Sequence, residues 1–136
     1  MLDPLSSAEA LIQLQGKINE RMMDLNLFLS RRSEVKSTMR MCEVRAYQSG
    51  QAMFEVYVDV ETNRGVAVSF SFELGCEKRR WHVAAAVSRI GRDGAHVLDE
   101  YPDSSPMNLE QLETIALQAS DWLVGRAKGF NFDRVP

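Results

Sequence analysis

The chain has few of the residues from which catalytic and metal centres are made. Its 136 residues include two histidines, two cysteines and two tryptophans, with no C-x-x-C or H-x-x-x-H spacing. No apolar run approaches the roughly 20 residues that span a bilayer. The opening Met1-Leu2-Asp3-Pro4 lacks the basic and apolar regions of a signal peptide, so the cytoplasm is the expected compartment. A net charge of −3 and a pI near 5.4 deprive non-specific nucleic-acid or anionic-membrane binding of its usual electrostatic drive. No nucleic acid, membrane or cofactor is therefore expected, and no catalytic motif is present.

The scarce residues are also far apart. Pairing about the turn at Arg92-Asp93 sets His96 across from Arg89, seven residues along from His82, on the order of 23 Å. One metal or one acid–base pair could not use both. The same reasoning sets Cys42 opposite about Tyr57 and Cys76 opposite about Gly50, again on the order of 23 Å apart, where a disulfide needs about 7 Å. Two free thiols are expected. Cys42 falls on the apolar side of the first strand, and Cys76 falls in a turn before Lys78-Arg79-Arg80, whose charge could lower its pKa. Gly91-Arg92-Asp93-Gly94 joins two strands and is a hairpin turn, because a phosphate cradle leads from a strand into a helix. Basic residues gather at Arg31-Arg32 with Lys36 and Arg40, and at Lys78-Arg79-Arg80. Seven methionines read as flexible core filler.

What is present is patterning. From Met41 to Tyr101 the sequence reads as five strands. Phe54, Val56, Val58 and Val60 alternate with Met53, Glu55, Tyr57 and Asp59. Val66, Val68, Phe70, Phe72 and Leu74 alternate with Ala67, Ser69, Ser71 and Glu73. Successive side chains of a strand point to opposite faces, so the pattern specifies a sheet buried on one face. Before it, Leu11, Leu14, Ile18, Met22 and Leu25 recur at helical spacing, from a cap at Asp3-Pro4 or Ser6 to about Arg32. After it, Leu109, Leu112, Ile115, Ala116, Ala119, Trp122 and Leu123 form a second stripe, capped by Ser105 or Asn108 and stopped at Gly125. The tail is pinned through Phe130 and Phe132.

Amphipathic helices and a one-sided sheet must bury their apolar surfaces together. Short connections at Ser49-Gly50, Glu61 to Gly65, Gly75 to Lys78 and Gly91 to Gly94 favour neighbour pairing. The expected fold is one α+β domain over residues 1–136: a five-stranded antiparallel meander with both helices on one face, in the order α-β-β-β-β-β-α. Phe54, Phe70, Phe72, Trp81 and Trp122 suffice to fill its interior, leaving little room for a small-molecule ligand.

The opposite sheet face is then bare. Alternation assigns to it Glu43, Arg45 and Tyr47; Met53, Glu55, Tyr57 and Asp59; Ser69, Ser71 and Glu73; and His82, Ala84, Ala86 and Ser88. The fifth strand adds His96, Leu98 and Glu100, with either Val97 or Leu98 turned inward. Five carboxylates against Arg45 leave the face near −4. The expected binding surface is Glu43, Tyr47, Met53, Glu55, Tyr57, Asp59, Ser69, Ser71, Glu73 and His82, for which a basic protein is the complementary partner. An antiparallel sheet can also carry such a face simply as solvated surface.

Size, acidity and layout, with Trp81-His82-Val83-Ala84-Ala85-Ala86-Val87, the hairpin through Gly94 and the closing helix at Asn108-Leu109-Glu110-Gln111-Leu112, resemble the immunity proteins of bacterial polymorphic-toxin and contact-dependent growth inhibition systems. The resemblance implies a small cytosolic α+β domain without catalytic residues that covers a basic toxin site. Small acidic secretion chaperones, usually homodimers that bind an effector, are similar in size and charge. Their usual order places a helix within the strand series, which this sequence lacks.

Overall fold

In a computed structural model, the structure describes residues 4–46, 52–77, 80–102 and 104–135, with backbone alone for 4–6. The expected Asp3 cap, the Ser49-Gly50 turn and the Lys78-Arg79 pair lie outside these residues, as does Tyr47. The elements are α1 (Pro4–Ser30), β1 (Val35–Ala46), β2 (Ala52–Thr62), β3 (Ala67–Glu77), β4 (Arg80–Gly91), β5 (Gly94–Glu100), α2 (Leu109–Lys128) and a short 3-10 turn (Phe132–Arg134). The strands form one antiparallel sheet in the order β1-β2-β3-β4-β5, as the alternation and short turns require.

Both helices pack on the face carrying Phe54, Val56, Val58, Val60, Val68, Phe70, Phe72, Leu74, Val83, Ala85 and Val87, all buried. Onto it α1 brings Leu14, Ile18, Met22, Leu25 and Leu29, and α2 brings Leu112, Ala116, Ala119 and Leu123. Five strands is an odd number, so the chain returns to the starting end of α1 and α2 lies parallel to α1. Paired contacts advance together along both helices. Lys17 meets Glu113 at 3.4 Å, Arg21 donates to the Leu117 carbonyl at 3.0 Å and the Ser120 hydroxyl at 2.6 Å, and Lys128 lies 5.4 Å from the Phe28 ring.

At the far end the tail closes the core. Phe70, Phe130 and Phe132 meet edge to face with centroids 4.9–6.2 Å apart. Arg32 donates to the Phe130 carbonyl at 2.8 Å and stacks on Phe132, while Arg64 donates to the Phe132 carbonyl at 2.6 Å. Much of the basic cluster is thereby engaged within the fold: Arg32 also pairs with Glu34, Lys36 meets Glu61 at 3.7 Å and Arg40 donates to Asn19 at 2.6 Å.

Several boundaries differ from the sequence expectation. α1 ends at Ser30 and the first strand begins at Val35, six residues before Met41. The segment Lys36-Ser37-Thr38 has no apolar alternation because an edge strand is open to water on more than one side. The third strand begins at Ala67, so Val66 precedes it. Asn108 is the N-cap of α2, its side chain accepting from the Gln111 amide at 2.8 Å, and Ser105 is not. Gly125 does not stop that helix. One more turn buries Ala127, and the C-cap is Gly129. Trp81 and Trp122 are half-buried at the margins; Phe132 fills the interior instead.

The thiols are free, as expected, yet their setting differs. Cys42 pairs with Val56 and Cys76 with Ala52, four residues apart along the strand direction rather than seven. Cys42 does lie on the helix side of β1, but it is exposed on this edge strand.

Candidate functional site

Strand register decides what the open sheet face presents. Side chains opposite one another on neighbouring strands share a face and lie about 5 Å apart. The register places Glu43 opposite Glu55 and Glu55 opposite Glu73, so three carboxylates stand in one row across β1, β2 and β3. The next row toward the β1–β2 turn is Arg45, Met53, Gly75 and His82. On the other side come Met41, Tyr57, Ser71 and Ala86, and then Met39, Asp59, Ser69 and Ser88. Apart from Tyr47, every residue expected on the binding surface falls on this face, and among the described residues neither helix covers it.

The two ends of the carboxylate row are tied down. Arg45 pairs with Glu43 and reaches Glu55 at 3.8 Å. His82 Nε2 lies 3.3 Å from Glu73 Oε1. Gly75 makes the second contact possible, since a Cβ there would stand 2.2 Å from His82 Cε1. The histidine ring occupies the space that any larger residue would fill. Ser69 is only 8% exposed and is part of the floor of the face.

Glu55, in the middle, carries the electrostatic cost. Partial burial, then the charges of Glu73, Glu43 and Asp59, hold its carboxyl above the ordinary carboxylate value, against the pull of Arg45. Desolvation and the charges of Glu43, Asp59 and Glu55 raise the Tyr57 phenol, which stays protonated at neutral pH. Like charges directly opposite on adjacent strands destabilise a sheet. The raised Glu55 pKa means that its ionised form is less stable in the folded chain than in the unfolded one. The penalty is absent below the unfolded pKa, develops as pH rises toward the folded value, and is complete above it. Glu55→Gln should therefore raise the midpoint of urea unfolding at pH 7, by about 0.5–1 kcal/mol of stability from two relieved pairs. The gain should vanish near pH 3; a gain that persists there would place its origin outside the ionised row.

The fifth strand departs in part from simple alternation. A register shift between Val87 and Ser88 sets Val97 opposite Ser88, His96 opposite Arg89 and Glu100 opposite Ala86. Glu100 and Val97 therefore belong to the open face and His96 to the helix side, whereas alternation alone assigns His96 and Leu98 with Glu100 to the open face. Neither Val97 nor Leu98 is buried. The bulge that shifts the register leaves no mark in the hydrophobic pattern. His96 does lie across from Arg89 as expected and interacts with Asp93 at 3.1 Å.

A second feature lay outside the sequence reading. At the corner where α1 begins, Leu11, Val44, Phe54, Leu74, Cys76 and Trp81 line an apolar cavity of about 260 Å³. Leu11 is the first large apolar side chain of α1 among the residues whose side chains are described, and the cavity opens beside it. Val44, at the rim, is 71% exposed. Among the described residues no group of three His, Cys, Asp or Glu side chains could hold a metal ion, and no helix is long and apolar enough to cross a membrane. Comparison with models of known protein families, with curated proteins and with solved structures finds no match.

Proposed function

We propose that this chain is a non-catalytic protein-binding domain that docks a basic partner on its open sheet face, acting as an immunity protein that neutralises a cognate bacterial toxin in the cytoplasm. The observation that carries this reading is the row Glu43–Glu55–Glu73. Three acids aligned on adjacent strands oppose folding, and a cationic partner offsets that cost on binding. Tyr57 and Met53 beside the row supply the amphipathic and apolar contact area typical of interface hot spots. A basic toxin site closed by such a face loses access to its substrate without any chemistry by the inhibitor.

The immobilised chain should retain a basic toxin protein from lysate of its own source. Raising the salt from 50 to 500 mM should weaken retention by at least about tenfold, because contacts between exposed charges are screened. Addition of the purified chain should then restore growth of cells poisoned by that protein. Retention of an acidic partner, or a complex indifferent to salt, would overturn the docking mode. The homodimeric chaperone reading gains no support from the element order, which has no helix inside the strand series.

A further inference from the structure

We infer that β1 receives an extended segment of the partner as a sixth strand, with basic side chains at alternate positions and apolar ones between; this rests on the docking reading above and names how the partner is held. The sheet has two edges, and they are built differently. β5 is seven residues long, its register is shifted by a bulge, and the chain beyond it stays against β4. Tyr101 N–H donates to the Ala85 carbonyl at 2.9 Å, and Val83 N–H to the Ser104 carbonyl at 3.0 Å. That edge is short, kinked and partly covered, which are the usual protections against strand addition. β1 is twelve residues long and pairs with β2 in unbroken register from Ser37 to Ala46. Among the described residues nothing pairs with its outer side, where alternate N–H and C=O groups point away from the sheet.

The flanks of β1 state what would fit there. On the open face the edge carries Met39, Met41, Glu43 and Arg45, with Asp59 and Glu55 one strand behind. On the helix side Cys42 and Val44 are exposed, and the corner cavity opens beside Val44. Ile12, 68% exposed, stands on the same side of α1 as Asn19, which Arg40 of β1 binds. An added strand sends successive side chains to opposite faces. One set lies over Met39, Met41 and Glu43 with Glu55 and Asp59 behind, where a long lysine or arginine reaches the acids; the other meets Val44, Ile12 and the cavity and selects aliphatic residues. Backbone bonds along the edge supply affinity, and the alternation supplies specificity.

The test uses the full chain and a blocked decapeptide of alternating lysine and valine, compared with a decapeptide of five lysines followed by five valines. Amide hydrogen exchange should slow by about tenfold or more at alternate residues between Ser37 and Ala46 when the alternating peptide binds, and not in β5. The block peptide should bind at least about tenfold more weakly, since its alternation is lost. Val44→Lys should weaken the alternating peptide by a similar factor while leaving the thermal midpoint unchanged, because the side chain is exposed. Binding without protection of β1 amides would overturn strand addition and leave docking on the acidic face standing. Protection in β5, or no binding of the alternating peptide, would also overturn it. So would β1 protection that grows with protein concentration alone, which would identify a second copy as the occupant.

Discussion

Reversing Glu55, Asp59 and Glu73 together to lysine should weaken capture of the basic partner by at least about a hundredfold, equivalent to about 2.7 kcal/mol. The three positions lie on one face, Glu55 and Glu73 in one row and Asp59 two rows along, so the substitution replaces the centre of the acidic surface with a cationic one. Attraction becomes repulsion at the point of contact, and the encounter rate falls with it. The fold should tolerate the change. Glu55 and Glu73 are side-chain exposed by 27% and 32%, and none of the three supports the core. The reversal relieves the repulsion between Glu43 and position 55, while the repulsion between positions 55 and 73 persists with its sign changed. Circular dichroism and thermal melting of the triple variant should resemble those of the native chain. Calorimetric titration showing undiminished affinity in a folded triple variant would move the docking surface elsewhere.

The second large effect is on stability. Phe70→Ala should cost about 3–5 kcal/mol, the range for deleting a buried aromatic side chain. Phe70 is 0% exposed on β3 and meets both Phe130 and Phe132 edge to face. Its loss opens a cavity and releases the tail that the two rings pin. Arg32 and Arg64 would still hold the tail through its backbone carbonyls, but neither fills the space left by the ring. A domain of this size typically has 5–15 kcal/mol in all, so the melting temperature should fall by on the order of 10–20 °C. Met107→Ala, at an 89% exposed position, should leave it unchanged and serves as the control. A Phe70→Ala midpoint within two or three degrees of native would mean that the tail and β3 do not share one core.

The parts of this fold that could be read from the chain are those governed by period. Phe54 to Val60 and Val68 to Leu74 alternate strictly because one face is buried and the other is not, and all of those apolar residues are in the core. The helical stripes were equally legible, as was the meander, because short turns leave little choice of neighbour. What depended on a single residue was not. Placing Cys42 opposite Tyr57 rather than Val56 is an error of one position, and it is enough to hide the row Glu43–Glu55–Glu73. Composition placed the acids on one face; only register shows that they stand side by side. The β5 bulge, the polar beginning of β1 and the corner cavity beside Leu11 belong to the same class. Each follows from how much surface a neighbour covers, and no local pattern encodes that.

The odd strand count separates the two ends of the folded chain. α1 starts at the cavity corner, whereas the last described residues sit by Phe70 and Arg32, past the other end of a 27-residue helix about 40 Å long. Anything joined before Pro4 is thus held at a distance from anything joined after Val135, and the domain behaves as a spacer rather than a hairpin in any fusion.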